Sequence, residues 1–162
     1  MDRLVPSIIV GSVIVLALAG MFFGWCARVR KYSGLIAPDA VPDSIGEVIA
    51  IDRGLYVATT MANQPLERVA AHGLGFCSRA TVTITERGIA LAPKGRVPFF
   101  IGRTSILAVQ RATWAIDKAV ETGGLVVLTW RLGDTELDSY FRMDDGPAVL
   151  LNTGAGLIEV LA

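Results

Sequence analysis

The sequence predicts a mainly β chain: one N-terminal transmembrane helix, then an antiparallel β-barrel or sandwich of about seven strands, then a C-terminal helix. Three observations carry this reading. From Leu4 to Ala27 there are 24 consecutive residues without a charge. Between Thr81 and Met143, apolar and polar residues alternate in short runs separated by glycine-bearing breaks. Asp144-Asp145-Gly146-Pro147 then opens a final apolar segment.

The first element follows from length. At about 1.5 Å per residue the uncharged run reaches roughly 36 Å, enough to cross a hydrocarbon core of about 30 Å with modest tilt. Lipid offers no partner for free backbone groups, so the segment must be helical. Ile8-Ile9-Val10 and Val13-Ile14-Val15-Leu16 are rich in β-branched residues, which favours strand in water. The run is nonetheless far longer than a buried strand of about 4–8 residues. Ile8, Val15, Leu16, Met21 and Phe22 fall inside the span, and Trp25 lies where an interfacial aromatic belongs. Arg28, Arg30 and Lys31 follow as a stop. A cleaved signal peptide fits less well, because its apolar stretch is shorter and its basic residues precede it. A lipoprotein anchor at Cys26 lacks a lipobox in Phe23-Gly24-Trp25; Cys26 is read as a thiol at the helix end, with acylation the alternative.

Three basic residues follow the span against Arg3 before it, which places the N-terminus outside and the C-terminal domain in the cytoplasm. Two cysteines, one at the boundary and Cys77 alone in the domain, suggest no disulfide framework. Gly20 and Gly24 match the small-xxx-small spacing of packed membrane helices and offer a seam for a homodimer.

Residues 1–31 are thus helix and stop, 32–46 a proline-extended linker, and 47–162 the β domain. Within the domain, 47–52 and 55–61 read as strands broken at Arg53-Gly54, and 65–71 as a helical turn or loop. Thr81, Thr83 and Thr85 alternate with Val82 and Ile84, Glu86-Arg87-Gly88 makes a turn, and Ile89 and Leu91 continue the alternation. Pro93-Lys94-Gly95 is a further turn. Residues 97–101 and 106–115 read as two strands, Pro98 marking the first as an edge or a bulge. Residues 125–132 form a buried strand, and Gly133-Asp134 turns into a strand with Glu136, Asp138, Tyr140 and Arg142 toward water and Leu137, Ser139, Phe141 and Met143 toward the core. The final segment starts with an aspartate cap and a proline suited to a first helical turn; Gly154 and Gly156 suggest two short helices.

Net charge is zero, but the charges segregate. Residues 53–111 carry eight basic and two acidic side chains, and 112–162 three basic and eight acidic. Arg68, Arg79, Arg87, Lys94, Arg96 and Arg103, several of them at turns, form a candidate basic surface for the anionic inner leaflet. Ordinary solvated charge paired across strands explains them equally simply. Few aromatics are interleaved and the domain is not basic overall, which argues against nucleic acid.

Catalytic and metal signatures are missing. His72 is the only histidine and there is no Cys-x-x-Cys pair, which excludes the usual zinc spacings. His72 and Cys77 lack an orienting third group for a nucleophilic pair. Gly73 and Gly75 lack the third glycine of a dinucleotide loop. Asp134, Glu136 and Asp138 read as a wet strand face rather than a cation site, and Trp114 and Trp130 as core or rim residues. No cofactor is expected.

With its N-terminal span, its stop from Arg28 to Lys31, strands such as Thr81–Thr85 and Ile89–Ala92, and a helix after Asp145-Gly146-Pro147, the chain resembles small actinobacterial single-pass membrane proteins with a pleckstrin-homology-like (bacterial PH-like) domain. The resemblance covers essentially the whole chain and implies a fold and a topology rather than an activity. Some members of such groups carry loose export or transport-related descriptions. The expected function is a non-enzymatic membrane-anchored interaction module binding an unknown membrane or cytoplasmic protein or inner-leaflet lipid. The alternative is an accessory subunit of a membrane transport or export complex.

Overall fold

A computed structural model describes residues 4–32, 34–112 and 124–159. The chain divides into two units, Met1–Gly34 and Leu35–Ala162. The first is a single helix, α1 (Leu4–Lys31). Its segment Pro6–Ala27 is long and apolar enough to cross a membrane, a property that an N-terminal signal sequence shares. Ile8, Val15, Leu16, Met21, Phe22 and Trp25 are all exposed along it. Ser12, its mid-helix hydroxyl, donates back to the Ile8 carbonyl at 2.8 Å, which spares the apolar surface a free polar group. An added Cβ at Gly20 or Gly24 would meet nothing within 4 Å, so that stripe is open. The side chain of Arg28 lies outside the described residues.

In the second unit the described residues form one antiparallel sheet of nine strands, not seven. The strands are β1 (Asp39–Ala40), β2 (Val48–Met61), β3 (Gln64–Arg68), β4 (Ser78–Thr85), β5 (Gly88–Pro93), β6 (Phe99–Gly102), β7 (Ile106–Arg111), β8 (Val126–Leu132) and β9 (Thr135–Met143); α2 (Ala148–Glu159) comes after them. Their order is β1-β6-β5-β4-β2-β9-β8-β7, with β3 attached to β2. The two end strands are not joined, so the sheet is not closed into a barrel; it folds over as a sandwich.

β2 makes that fold possible. It runs 14 residues without the break expected at Arg53-Gly54. Its first part, Val48–Tyr56, pairs with β4, and its later part, Gly54–Met61, pairs with β9. The two halves of the sheet therefore share one strand, with register shifts after Val48 and after Tyr56 that help it bend. Gly54 sits in the overlap. A Cβ there would strike the Arg142 carbonyl oxygen and come within 2.8 Å of the Met143 Cα. The glycine read as a strand breaker is where two backbones approach too closely for a side chain. Phe99 of β6 stacks on Trp130 of β8 with ring centroids 6.3 Å apart, which joins the two halves across the core. Ile84, Ile89, Leu91, Ile101, Leu128, Leu137 and Phe141 fill the space between.

Other expectations need correction. Residues 65–68 are strand rather than helical turn: Asn63 adopts φ 60° and turns the chain, and Pro65 is tolerated because β3 pairs with β2 alone. Residues 39–40, expected in the linker, pair with Phe99 and Phe100 of β6, and Ile36 lies against Gly133. Asp138 and Tyr140 are buried rather than wet. Asp138 is held by two donors that its own strand does not supply: the Thr129 hydroxyl at 2.7 Å and the Asn63 N–H at 3.0 Å. Asp144 pairs with Arg79 instead of capping a helix. The final segment is one helix, with Leu150, Gly154 and Leu157 on its buried face. Gly154 is tolerated mid-helix because an added Cβ would lie 3.1 Å from Val109 of β7; the missing side chain lets helix and strand pack closely. The strand expected over 106–115 is described to Arg111, and Trp114 lies outside the described residues.

Candidate functional site

The basic residues singled out from sequence separate into groups. Arg87 lies on the β4–β5 turn and donates to the Ser44 carbonyl at 3.2 Å. Arg103 comes just after β6 nearby, its N–H bonded to the Arg87 carbonyl at 2.8 Å. The Arg103 Nε donates to the Leu157 carbonyl at 2.8 Å, where the last turn of α2 has acceptors without helical partners. That guanidinium is half-buried and serves the helix end. Arg68 is exposed on β3.

Arg79, Lys94 and Arg96 gather at the opposite end of β4 and β5. Arg79 makes a two-pronged ion pair with Asp144, with Nη1 2.5 and 2.7 Å from the two carboxylate oxygens, but both side chains are about half exposed and the pair adds little stability. It sits between two open grooves. One, of about 580 Å³, is lined by Leu55, Arg142, Met143 and Pro147 among others; the second, of about 380 Å³, by Arg53, Thr81 and Lys94 among others.

Arg96 is placed differently. Its guanidinium lies 4.5 Å from the centroid of the Phe76 ring, a cation–π contact between the β5–β6 loop and the loop before β4. Phe76 is 51% exposed and Val97, beside Arg96 in the chain, is 82% exposed. Neither was singled out from sequence. The only signal was an aromatic among glycines and turn residues, a pattern equally typical of a rim residue.

A buried chain of hydrogen bonds fixes this loop from beneath. The Trp130 Nε1 donates to the Ser139 hydroxyl at 2.9 Å, which lies 2.6 Å from the Thr59 hydroxyl, which lies 2.6 Å from the Tyr56 hydroxyl; Tyr56 donates to the Leu74 carbonyl at 2.7 Å. Indole can only donate and carbonyl can only accept, and each hydroxyl has one proton. The direction is therefore forced: Trp130 to Ser139, Ser139 to Thr59, Thr59 to Tyr56, Tyr56 to Leu74. Burial is the main cause that pushes the Tyr56 phenol above its ordinary range. The Thr59 N–H also reaches the Leu74 carbonyl, at 2.8 Å, and the Val69 N–H returns to the Thr59 carbonyl at 3.0 Å. The loop carrying Phe76 is thereby tied to β2, β8 and β9.

His72 Nε2 is 2.8 Å from the Leu35 carbonyl, an acceptor, so that nitrogen carries the proton and is not available as a base. Cys77 is an exposed free thiol. Glu136 pairs with Arg131 at 3.2 Å, and among the described residues no group of three His, Cys, Asp or Glu could hold a metal. Asp52 is a buried carboxylate beside an open groove that Ile51, Arg53 and Asp145 also line: Oδ1 accepts from the Arg53 N–H at 2.8 Å and Oδ2 has no partner among the described residues. Desolvation first, then Asp145 and Asp144, raise its pKa, against the lowering by that N–H.

A search of curated proteins finds no match to the chain. A scan against protein families matches residues 35–150 to the bacterial PH domain-like family, over most of the β unit and into the start of α2. Nine antiparallel strands folded over a core with a C-terminal helix across β7 agree with that match, and the chain belongs to the bacterial PH domain-like family.

Proposed function

We propose that the chain is a non-enzymatic, membrane-anchored interaction module: α1 spans the bilayer with its N-terminus outside, and the PH-like domain meets its ligand at the cytoplasmic face. PH-like domains are in general non-catalytic, and the family match supports an interaction role. The observation that carries the anchored reading is the 22-residue apolar segment Pro6–Ala27, succeeded within four residues by Arg28, Arg30 and Lys31. Arg30 is exposed at the end of α1, and the Lys31 ammonium lies 5.7 Å from the Tyr32 ring, an amphipathic pairing suited to the headgroup layer.

Alkaline carbonate extraction and external protease on intact cells test this together. The full chain should remain in the membrane pellet and its domain should survive protease until the cells are lysed. Cleavage of the domain from outside, or a mature protein beginning after residue 27, overturns the reading.

A further inference from the structure

The strand shared by the two half-sheets has one stretch with a free side. We infer that residues 48–52 of β2 form a docking edge for a second copy of this chain, the two edges pairing antiparallel across a two-fold axis at Ala50 into one continuous sheet. The pairing needs neither α1 nor the bilayer.

β2 is paired on one side by β4 from Val48 onward, but on the other side by β9 only from Gly54 onward. Among the described residues the free side closes at Arg53. Its carbonyl accepts from the Asp144 N–H at 2.9 Å, and its N–H is taken by Asp52 Oδ1 at 2.8 Å. Backbone direction alternates along a strand, so Ile51 presents its N–H and carbonyl to the same side as Arg53. Among the described residues no main-chain group meets them there. An open row of this kind is a template for another strand.

Side chains set this edge apart from the others. Sheets guard their edges with short strands, proline, charge or a covering element. β1 is two residues long, β3 carries Pro65 with Glu67 and Arg68, and β7 lies against α2. Residues 48–52 hold no proline and no lysine, and Val48, Ile49 and Ile51 are 45%, 52% and 61% exposed. Their one charged side chain, Asp52, is 4% exposed and turned to its neighbour's N–H. The sheet beside them offers no charge either: Ile51 is followed across β4, β5 and β6 by Thr83, Ala90 and Phe100. Scattered exposed apolar residues mean little, but three together on an unpaired edge mark a surface that is covered in use.

Charge selects the occupant. Glu47 precedes the edge and Arg53 ends it, and both are exposed. An antiparallel pairing centred on Ala50 sets Glu47 opposite Arg53 of the second copy at both ends, with Ile49 opposite Ile51 between them. A parallel pairing in register would set like charge on like. An edge that is acidic at one end, basic at the other and apolar between them is complementary to itself, which is what a two-fold interface requires.

The test uses the full chain in mild detergent, with Cys26→Ser and Cys77→Ser. Opposed residues at the axis stand about 4.5 Å apart at Cα, within disulfide reach. Ala50→Cys should therefore join two copies on mild oxidation, while Leu66→Cys, on the exposed strand β3, should give no more than the collisional background. Light scattering should show a dimer that dissociates on dilution. Ile49→Lys with Ile51→Lys should weaken it at least about tenfold. Glu47→Arg should weaken it too, and Glu47→Arg with Arg53→Glu should restore it, with the near-ultraviolet circular dichroism unchanged in each variant. A chain that is monomeric at every concentration overturns the inference. So does a dimer that keeps its affinity in the lysine variant and leaves Ala50→Cys unlinked, which places the contact elsewhere. Cross-linking of Ala50→Cys in native membranes to a different protein and not to itself gives the edge to another partner and also overturns the inference.

Discussion

Replacing Tyr56 with Phe tests the forced hydrogen-bond chain. The ring is 1% exposed and packs against Phe141 at 5.5 Å, so the substitution keeps shape and removes one oxygen. Two interactions disappear: the bond to the Leu74 carbonyl and the acceptor of the Thr59 proton. Leu74 keeps its second donor, the Thr59 N–H, so its carbonyl is not abandoned. The buried hydroxyl proton is, because reversing the order only moves the orphan from Thr59 to Ser139. One neutral hydrogen bond and one unsatisfied buried donor together are worth about 2 kcal/mol. For a unit of this size that lowers Tm by about 8 °C. Thermal unfolding of the full chain in mild detergent, monitored by tryptophan fluorescence, measures it. Ser139→Ala breaks the same chain, so the double variant should lose less than the two singles combined, by about 1 kcal/mol. The pH dependence has a definite sign. Burial raises the folded phenol above the ordinary 10.0, so the folded state keeps the proton that the unfolded state sheds, and native stability falls as pH rises beyond that value. Phe lacks this contribution, so the gap between the two proteins should narrow in alkali. A loss under about 0.5 kcal/mol, or additive single and double variants, would refute the chain.

Asp52→Asn keeps the oxygen that accepts from the Arg53 N–H and removes a poorly solvated charge. Since burial raises the folded pKa above 3.8, ionisation weakens the fold as pH rises through the carboxylate range; the variant should be more stable than the parent at pH 7 and lose that advantage below about pH 3.8 in urea titrations. Arg103→Ala should cost about 1 kcal/mol and speed amide exchange in the last turn of α2, whose Leu157 carbonyl it leaves without its donor. Gly54→Ala should cost about 3 kcal/mol, because only backbone stands in its way, whereas Gly156→Ala, with nothing within 4 Å on an exposed helix position, should raise stability by up to about 1 kcal/mol.

The legible parts of the fold were those in which neighbouring residues carry the pattern. Thr81–Leu91 alternate because one face of each strand is buried, and Thr85 pairs with Gly88 across the expected turn. The strand over Leu125–Leu132 and its turn at Gly133 are legible for the same reason. β3 carries no alternation because it is an edge with little to bury, and Leu66 stays 88% exposed. Asp138 could not be read as buried, since the donors that satisfy it come from β8 and from the turn after β2. The basic residues were legible as a group by charge alone, but whether each is engaged depends on distant atoms: a helix end for Arg103, an aspartate for Arg79, an aromatic ring for Arg96.

By itself the sequence determined the apolar helix, the β character of the domain behind it and the C-terminal helix. Hydrophobic length and local periodicity suffice for those, being properties of adjacent residues. The tertiary structure decided that β2 is shared between two half-sheets, that Gly54 is a crossing point and not a break, and that Phe76 and Val97 stand exposed on two neighbouring loops. Those outcomes depend on residues such as Tyr56 and Leu74, or Gly54 and Arg142, whose contact is fixed only when the sheet folds over itself.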